Sequence, residues 1–168
     1  TLKLVVNREK SAVDRPWKRS FLSYTVSHHK KPKLRVAPKV ISRFKVALTA
    51  LFSRGRGRQL VRLIKELAPK LRGWVVYFRL AEVKAPFEAL DQWLRRRLRL
   101  VLWRHWKHPR TRRKRLIALG LSEARASVSA FNGRGAWWNA GASHMNQAVP
   151  ARLLRQLGLM SLISERHR

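Results

Sequence analysis

Pro86-Phe87-Glu88-Ala89-Leu90-Asp91-Gln92-Trp93-Leu94-Arg95-Arg96-Arg97-Leu98-Arg99-Leu100-Val101-Leu102-Trp103-Arg104-His105-Trp106-Lys107 decides how this chain folds. Phe87, Leu90, Leu94, Leu98, Val101 and Leu102 follow the spacing of a single helix face. This spacing predicts a helix from about Pro86 to Lys107, roughly 33 Å long. Its apolar row faces inward, and Arg95, Arg96, Arg97 and Arg99 crowd the other faces. Glu88 and Asp91 fall in the first turns, where a carboxylate complements the positive end of the helix dipole. Trp93 sits next to the stripe and reads as core.

The same period extends upstream. Pro38 suits a first helical position, and Ile41, Phe44, Leu48 and Leu51 form the stripe behind it. Leu60, Leu63, Ile64 and Leu67 make a second helix. Pro69 is expected to end it and open a third, carrying Leu71, Trp74, Val75 and Phe78. Before Pro38 the pattern is β: Leu2–Val6, Phe21–Val26 and Lys33–Val36, with polar turns at Asn7–Lys10 and His28–Pro32. Three short strands make a poor sheet alone, so they are expected to complete one begun upstream. The chain opens at Thr1, inside a strand-like segment and without methionine, which reads as a fragment.

Downstream, Pro109 breaks the long helix, and a basic helix from Thr111 to Leu119 follows, with Gly120 as C-cap and Ser122 as the next N-cap. Asn132 to Gly141 reads as an ordered loop pinned by Trp137 and Trp138. A last helix runs from about Pro150 to Leu157 and ends at Gly158. The fold class is therefore mainly α: a helical bundle preceded by a short β-hairpin. A β part over residues 1–37 is expected to precede the helical part that starts at Pro38.

Charge narrows the function. Against 39 lysines and arginines stand only eight acids, a net +31 on 168 residues. A folded body with that much like charge calls for a polyanionic partner, and nucleic acid is the first choice. A hydrophobic content of 45% and seven tryptophans set it apart from a disordered basic tail. No cysteine is present, which excludes disulfides and thiolate metal sites. No apolar run approaches the ~20 residues of a membrane span. A surface-bound membrane helix would need a wide apolar face, but these faces are needed for mutual packing.

Nucleotidyl transfer needs clustered carboxylates to hold two Mg²⁺ ions. Glu9, Asp14, Glu66, Glu82, Glu88, Asp91, Glu123 and Glu165 offer no such cluster. His105 and His108 have i, i+3 spacing but no third ligand, and their basic surroundings repel cations. No catalytic residue, metal ligand, cofactor or small-molecule substrate is assigned. The strongest signal is three basic patches: Arg95-Arg96-Arg97 with Arg99, the Arg54/Arg56/Arg58 loop, and Arg110–Arg115. Arginine's planar fork matches phosphate oxygens. Trp93, Trp103, Trp106, Trp137 and Trp138 either stack on bases or pack the protein.

Leu71–Phe78, Trp93–Arg99 with Leu102–Lys107, Leu116–Leu121 and Gly135–Ala148, in this order, together resemble segments of group II intron reverse transcriptases. Leu71-Arg72-Gly73-Trp74-Val75-Val76-Tyr77-Phe78 is similar to the LRGW-x-x-YF signature of their maturase domain. Trp93–Arg99 with Leu102–Lys107 resembles the family's W-x-RRRLR…LWR-x-WK helix. Leu116–Leu121 and Gly135–Ala148 continue the likeness in order. At the front, Leu2–Ser11 resembles the segment after the catalytic palm motif, and Phe21-Leu22-Ser23-Tyr24 the FLG[YF] hairpin that supports the primer end. Ser23 stands where the family has glycine, Val76 where it has asparagine, and Ala136 where it has proline.

The resemblance implies that residues 1–37 are the last strands of a polymerase palm, 38–148 its thumb, the maturase domain, and 149–168 a C-terminal helix and tail. It implies intron RNA and template–primer duplex as partners, together with the upstream fingers and palm of the same protein. The aspartates and Mg²⁺ of the polymerase would lie upstream. Arg72, Arg79, Lys84, Arg95, Arg96, Arg99 and Arg104 are the expected phosphate contacts. Arg54, Arg56 and Arg58 would reach intron RNA, Lys10 and Tyr24 the primer strand. Trp137 and Trp138 either pin their loop or touch RNA. A bacterial cytoplasm or an organelle is the expected setting. A ribosomal-type RNA-packing protein shares the charge but not the ordered tryptophan motifs.

Overall fold

A computed structural model describes residues 13–54 and 59–166. The expected strand Leu2–Val6, Lys10 in the turn after it, and Arg56 and Arg58 lie outside the described residues. Among those described, β1 (Tyr24–Val26) pairs antiparallel with β2 (Leu34–Val36), Tyr24 opposite Val36 and Val26 opposite Leu34. The helices are α1 (Pro38–Arg54), α2 (Leu60–Tyr77), α3 (Ala85–His105), α4 (Pro109–Ala118), α5 (Glu123–Ala130), α6 (Ala136–Gly141), α7 (Ser143–Ala148), α8 (Ala151–Gln156) and α9 (Leu162–Arg166). The fold is mainly α, and among the described residues no helix is long and apolar enough to cross a membrane.

The central element is α3, which packs against α1, α2, α6 and α9. Phe87, Leu90, Leu94, Leu98 and Val101 are buried as the spacing requires. With α6 on it as well, the buried sector is wider than one stripe. Leu100 and Trp103 are buried too, whereas Leu102 is only half-buried. Trp93 does not reach the core centre. It is half-buried, with its ring edge-on to Phe52 at 6.0 Å.

Pro69 does not end a helix: α2 runs through it without a break. An interior proline costs about 3 kcal/mol. Beyond it, however, Leu71, Trp74 and Val75 stay in phase with Leu63, Ile64 and Leu67 and are buried. Three such side chains return roughly 1.5–3 kcal/mol each, which outweighs the loss. Pro69 and Lys65, whose carbonyl loses its partner, are both exposed, so water can satisfy that carbonyl. Trp74 joins three helices: it stacks on Phe44 of α1 at 5.1 Å and meets Phe87 of α3 edge-on at 5.3 Å.

The expected loop from Asn132 to Gly141 is helical over its second half. The Asn139 side chain is buried, and its Nδ2 donates to the carbonyls of Arg134 at 2.9 Å and Gly135 at 3.2 Å. Asn132 Nδ2 donates to Asn139 Oδ1 at 2.7 Å, and Asn132 Oδ1 accepts from Arg134 N–H at 2.9 Å. The residues that looked like loop therefore build the entry to α6. Pro109 occupies the first turn of α4, and Gly120 takes φ 92° just past its end, as a C-cap requires.

Asp91 does not serve the α3 dipole. It is buried and accepts from Ser161 Oγ at 2.9 Å and Leu162 N–H at 3.1 Å. Burial pushes its carboxyl above the usual range, against the pull of those two donors. It thereby ties the entry of α9 to the middle of the bundle. Sequence periodicity gave no sign of α9, whose buried Leu162 packs beneath that clamp.

The expected strand over Phe21–Val26 is a turn followed by β1. Phe21 and Tyr24 exchange both main-chain hydrogen bonds at 2.8 Å, with Leu22 at φ 47° and Ser23 at φ 70° between them. Two positive φ values suit a primed hairpin turn, where glycine is preferred at the second position. Replacing Ser23 by glycine relieves the left-handed strain. We expect Ser23→Gly to gain about 0.5–1 kcal/mol in denaturant unfolding, with unchanged secondary structure by circular dichroism.

Candidate nucleic-acid interface

Cations and indole rings alternate across three helices. Trp93 and Arg97 are four residues apart on α3 and so share a face. The Arg97 guanidinium lies 5.1 Å from the Trp93 ring and 5.1 Å from the Trp137 ring of α6. Arg96 lies over Trp137 at 4.0 Å, and its Nε and Nη2 donate to the Trp137 carbonyl at 3.3 and 2.9 Å. On the other side, Lys45 of α1 stands 5.9 Å from the Trp93 ring. The row therefore reads Lys45, Trp93, Arg97, Trp137, Arg96. Gly141 leaves room for that guanidinium, since a Cβ there would come within 2.7 Å of the Arg96 Cζ.

This row fixes positive charge without neutralising it. Among the described residues, Lys45, Arg96, Arg97 and Arg104 make no ion pair. Arg97 Nη2 donates to Thr49 Oγ1 at 3.4 Å, while its Nε is buried without a partner. Burial, and then the nearby Arg104, lower the Arg97 pKa from its ordinary value. Held guanidiniums with donors to spare and no carboxylate nearby are suited to phosphate oxygens.

The residues singled out in the sequence are not all in this row. Arg72, Arg79, Lys84 and Arg104 are exposed, Arg95 half-buried, and Arg54 ends α1. Arg99 is buried, with Nε donating to the Val149 carbonyl at 2.9 Å. Burial, then Arg95, lower its pKa to about 10. It ties α3 to the residue after α7 and leaves the phosphate-facing set. In the third basic patch, Arg112 donates to Trp106 O at 2.9 Å and lies 4.7 Å over Trp103, and Arg113 pairs with Glu123. Arg110, Lys114 and Arg115 stay exposed.

Trp137 and Trp138 stand in α6, not in a loop, and remain 41% and 47% exposed, so their rings are reachable. Each already carries an arginine: Arg96 and Arg97 for Trp137, and Arg134 at 5.1 Å for Trp138. Trp103 and Trp106 are buried and belong to the core. Tyr24 is half-buried and donates its hydroxyl to the Tyr77 carbonyl at 2.5 Å; burial and Tyr77 raise its pKa. Sequence reasoning missed Lys45 and Thr49, which reach the row only through the packing of α1 on α3.

The Mg²⁺ implied for a polymerase does not fit the donors present. Among the described residues no three His, Asp or Glu side chains come together. Asp91, the buried carboxylate, is engaged with Ser161 and Leu162.

Fold and surface together define a strongly basic, mainly helical domain whose guanidinium–indole row makes no ion pair among the described residues. Residues 41–119 match the group II intron, maturase-specific domain. The match supports a group II intron maturase role in splicing and implies intron RNA as a partner. No curated protein matches the chain. The matched span runs from α1 to the end of α4 and includes Lys45, Trp93, Arg96 and Arg97; Trp137 lies beyond it.

Behind the row, His144 is buried against Trp103 at 5.5 Å and Trp138 at 6.3 Å, and its Nε2 has no partner. Burial, then Arg125, lower its pKa below the ordinary 6.5. A depressed folded pKa means that stability is complete above the unfolded value and is lost as pH falls through the folded one. Denaturant unfolding should therefore show the protein less stable at pH 5 than at pH 7.5, with a smaller difference in His144→Phe.

Proposed function

We propose that the chain binds intron RNA through the guanidinium–indole row of α1, α3 and α6, so that a folded transcript is held while the RNA performs its own splicing chemistry. The observation that carries this reading is Arg97: it is fixed between two indoles, and among the described residues no carboxylate pairs with it. Arg72 of α2, Arg79 just past its end and Arg104 of α3 are exposed and add positive charge to the surface. Phosphate contacts of this kind are independent of base sequence and sensitive to salt. In a full-length reverse transcriptase the same helical body would grip the template–primer duplex. The turn at Phe21–Tyr24 would then stand near the primer, and the metal-binding aspartates would come from the upstream palm. The tight turn with exposed Phe21 and Leu22 supports that second role.

The test is the salt dependence of binding to a group II intron transcript. An Arg97→Gln/Arg104→Gln double variant should lose about two units of the log–log salt slope and bind roughly ten- to a hundredfold more weakly at physiological salt. Splicing of the transcript at low Mg²⁺ should fall in parallel. A folded double variant with unchanged affinity and slope would refute the assignment.

A further inference from the structure

A second cationic face lies at the other end of α3. The turn from β1 to β2 is clamped at its base: Ser27 N–H donates to the Lys33 carbonyl at 2.9 Å, and Lys33 N–H to Ser27 Oγ at 2.9 Å. This holds His29, Lys30, Lys31 and Lys33 opposite the segment Glu82–Lys84, and a cleft of about 610 Å³ opens between them. Glu82, the carboxylate in its lining, is engaged in the fold. Its Oε1 accepts from Leu34 N–H at 2.8 Å, and its own N–H donates to the Leu34 carbonyl at 2.7 Å. From the far side, Arg166 of α9 donates to the Glu82 carbonyl at 3.2 Å and braces that wall. Among the described residues, Lys30, Lys31, Lys33 and Lys84 make no ion pair.

The chemistry differs from that of the guanidinium row. Lysine presents compact, strongly hydrated point charges rather than planar forks. The residues lining the cleft include no Phe, Tyr or Trp, and four lysines outnumber its one ring, His29. What it fits is a run of phosphates. Lys84 and Arg97 are separated by roughly 20 Å along α3, too far for the cleft and the row to share one phosphate.

We propose that this cleft takes the phosphodiester backbone of an RNA segment distinct from the one on the guanidinium row, so that one chain holds two parts of a folded transcript together. The proposal rests on the reading that RNA is the partner, and its test separates the two. Lysine acetylation of the full chain, with and without a group II intron transcript, reports each site directly. Bound transcript should slow acetylation of Lys30, Lys31, Lys33 and Lys84 several-fold more than that of the exposed Lys65 and Lys70 of α2. The protection should persist in Arg97→Gln. A Lys30/Lys31/Lys33→Ala variant should lose about two to three units of salt slope, and a Lys65/Lys70→Ala control less than one. If the transcript binds while the cleft lysines react as fast as Lys70, the cleft assignment is overturned and the proposed function stands. If the transcript does not bind at all, both fall.

Discussion

Arg99 donates to the carbonyl of Val149, Arg96 to that of Trp137, Arg112 to that of Trp106 and Arg166 to that of Glu82. A main-chain carbonyl orients a guanidinium but does not cancel its charge. Indole faces do the same for Arg96, Arg97, Arg112 and Arg134. A chain with 39 basic and eight acidic residues has few carboxylates with which to fix its arginines. Using neutral partners instead gives two results. The side chains lose their freedom before any ligand arrives, which lowers the entropic cost of binding. The positive field stays intact, so the folded state carries a self-repulsion that a polyanion relieves.

The few carboxylates are placed accordingly. Asp91 caps the entry to α9 from inside the bundle, and Glu82 fastens β2 to the segment before α3. Both hold together parts of the chain far apart in sequence. The matched maturase span ends at residue 119, yet Met145, Val149, Leu154 and Leu162 complete the same core. The helices after α4 are thus structurally continuous with the family domain. One of them, α6, supplies the indole on which Arg96 and Arg97 rest.

Helix positions were legible in the sequence because apolar spacing reports directly on burial: the stripe from Phe87 to Val101 is the buried row of α3. Pro69 misled, since a local rule about proline lost to an in-phase stripe on either side of it. The Asn132–Gly141 segment misled because its glycines and asparagines signal a turn, while the Asn139 amide uses that turn to start a helix. The arginine clusters marked the right faces, but sequence could not sort their members. Arg97 and Arg99 are two residues apart, yet one opens to the surface and the other bonds to Val149 inside the bundle. Lys45 became visible only once α1 packed on α3. The primed turn at Leu22-Ser23 kept its geometry without the glycine that would ease it.

The account stands on neutral groups holding charge in place, and Trp137 tests this most directly because changing it removes no cation. The measurement is the affinity and salt slope of Trp137→Ala for a group II intron transcript. Taking the indole away loosens Arg96, which keeps only the residue 137 carbonyl, and Arg97, which keeps Trp93, so binding should weaken about tenfold while the slope stays unchanged. An unaltered affinity in the folded variant would contradict the account.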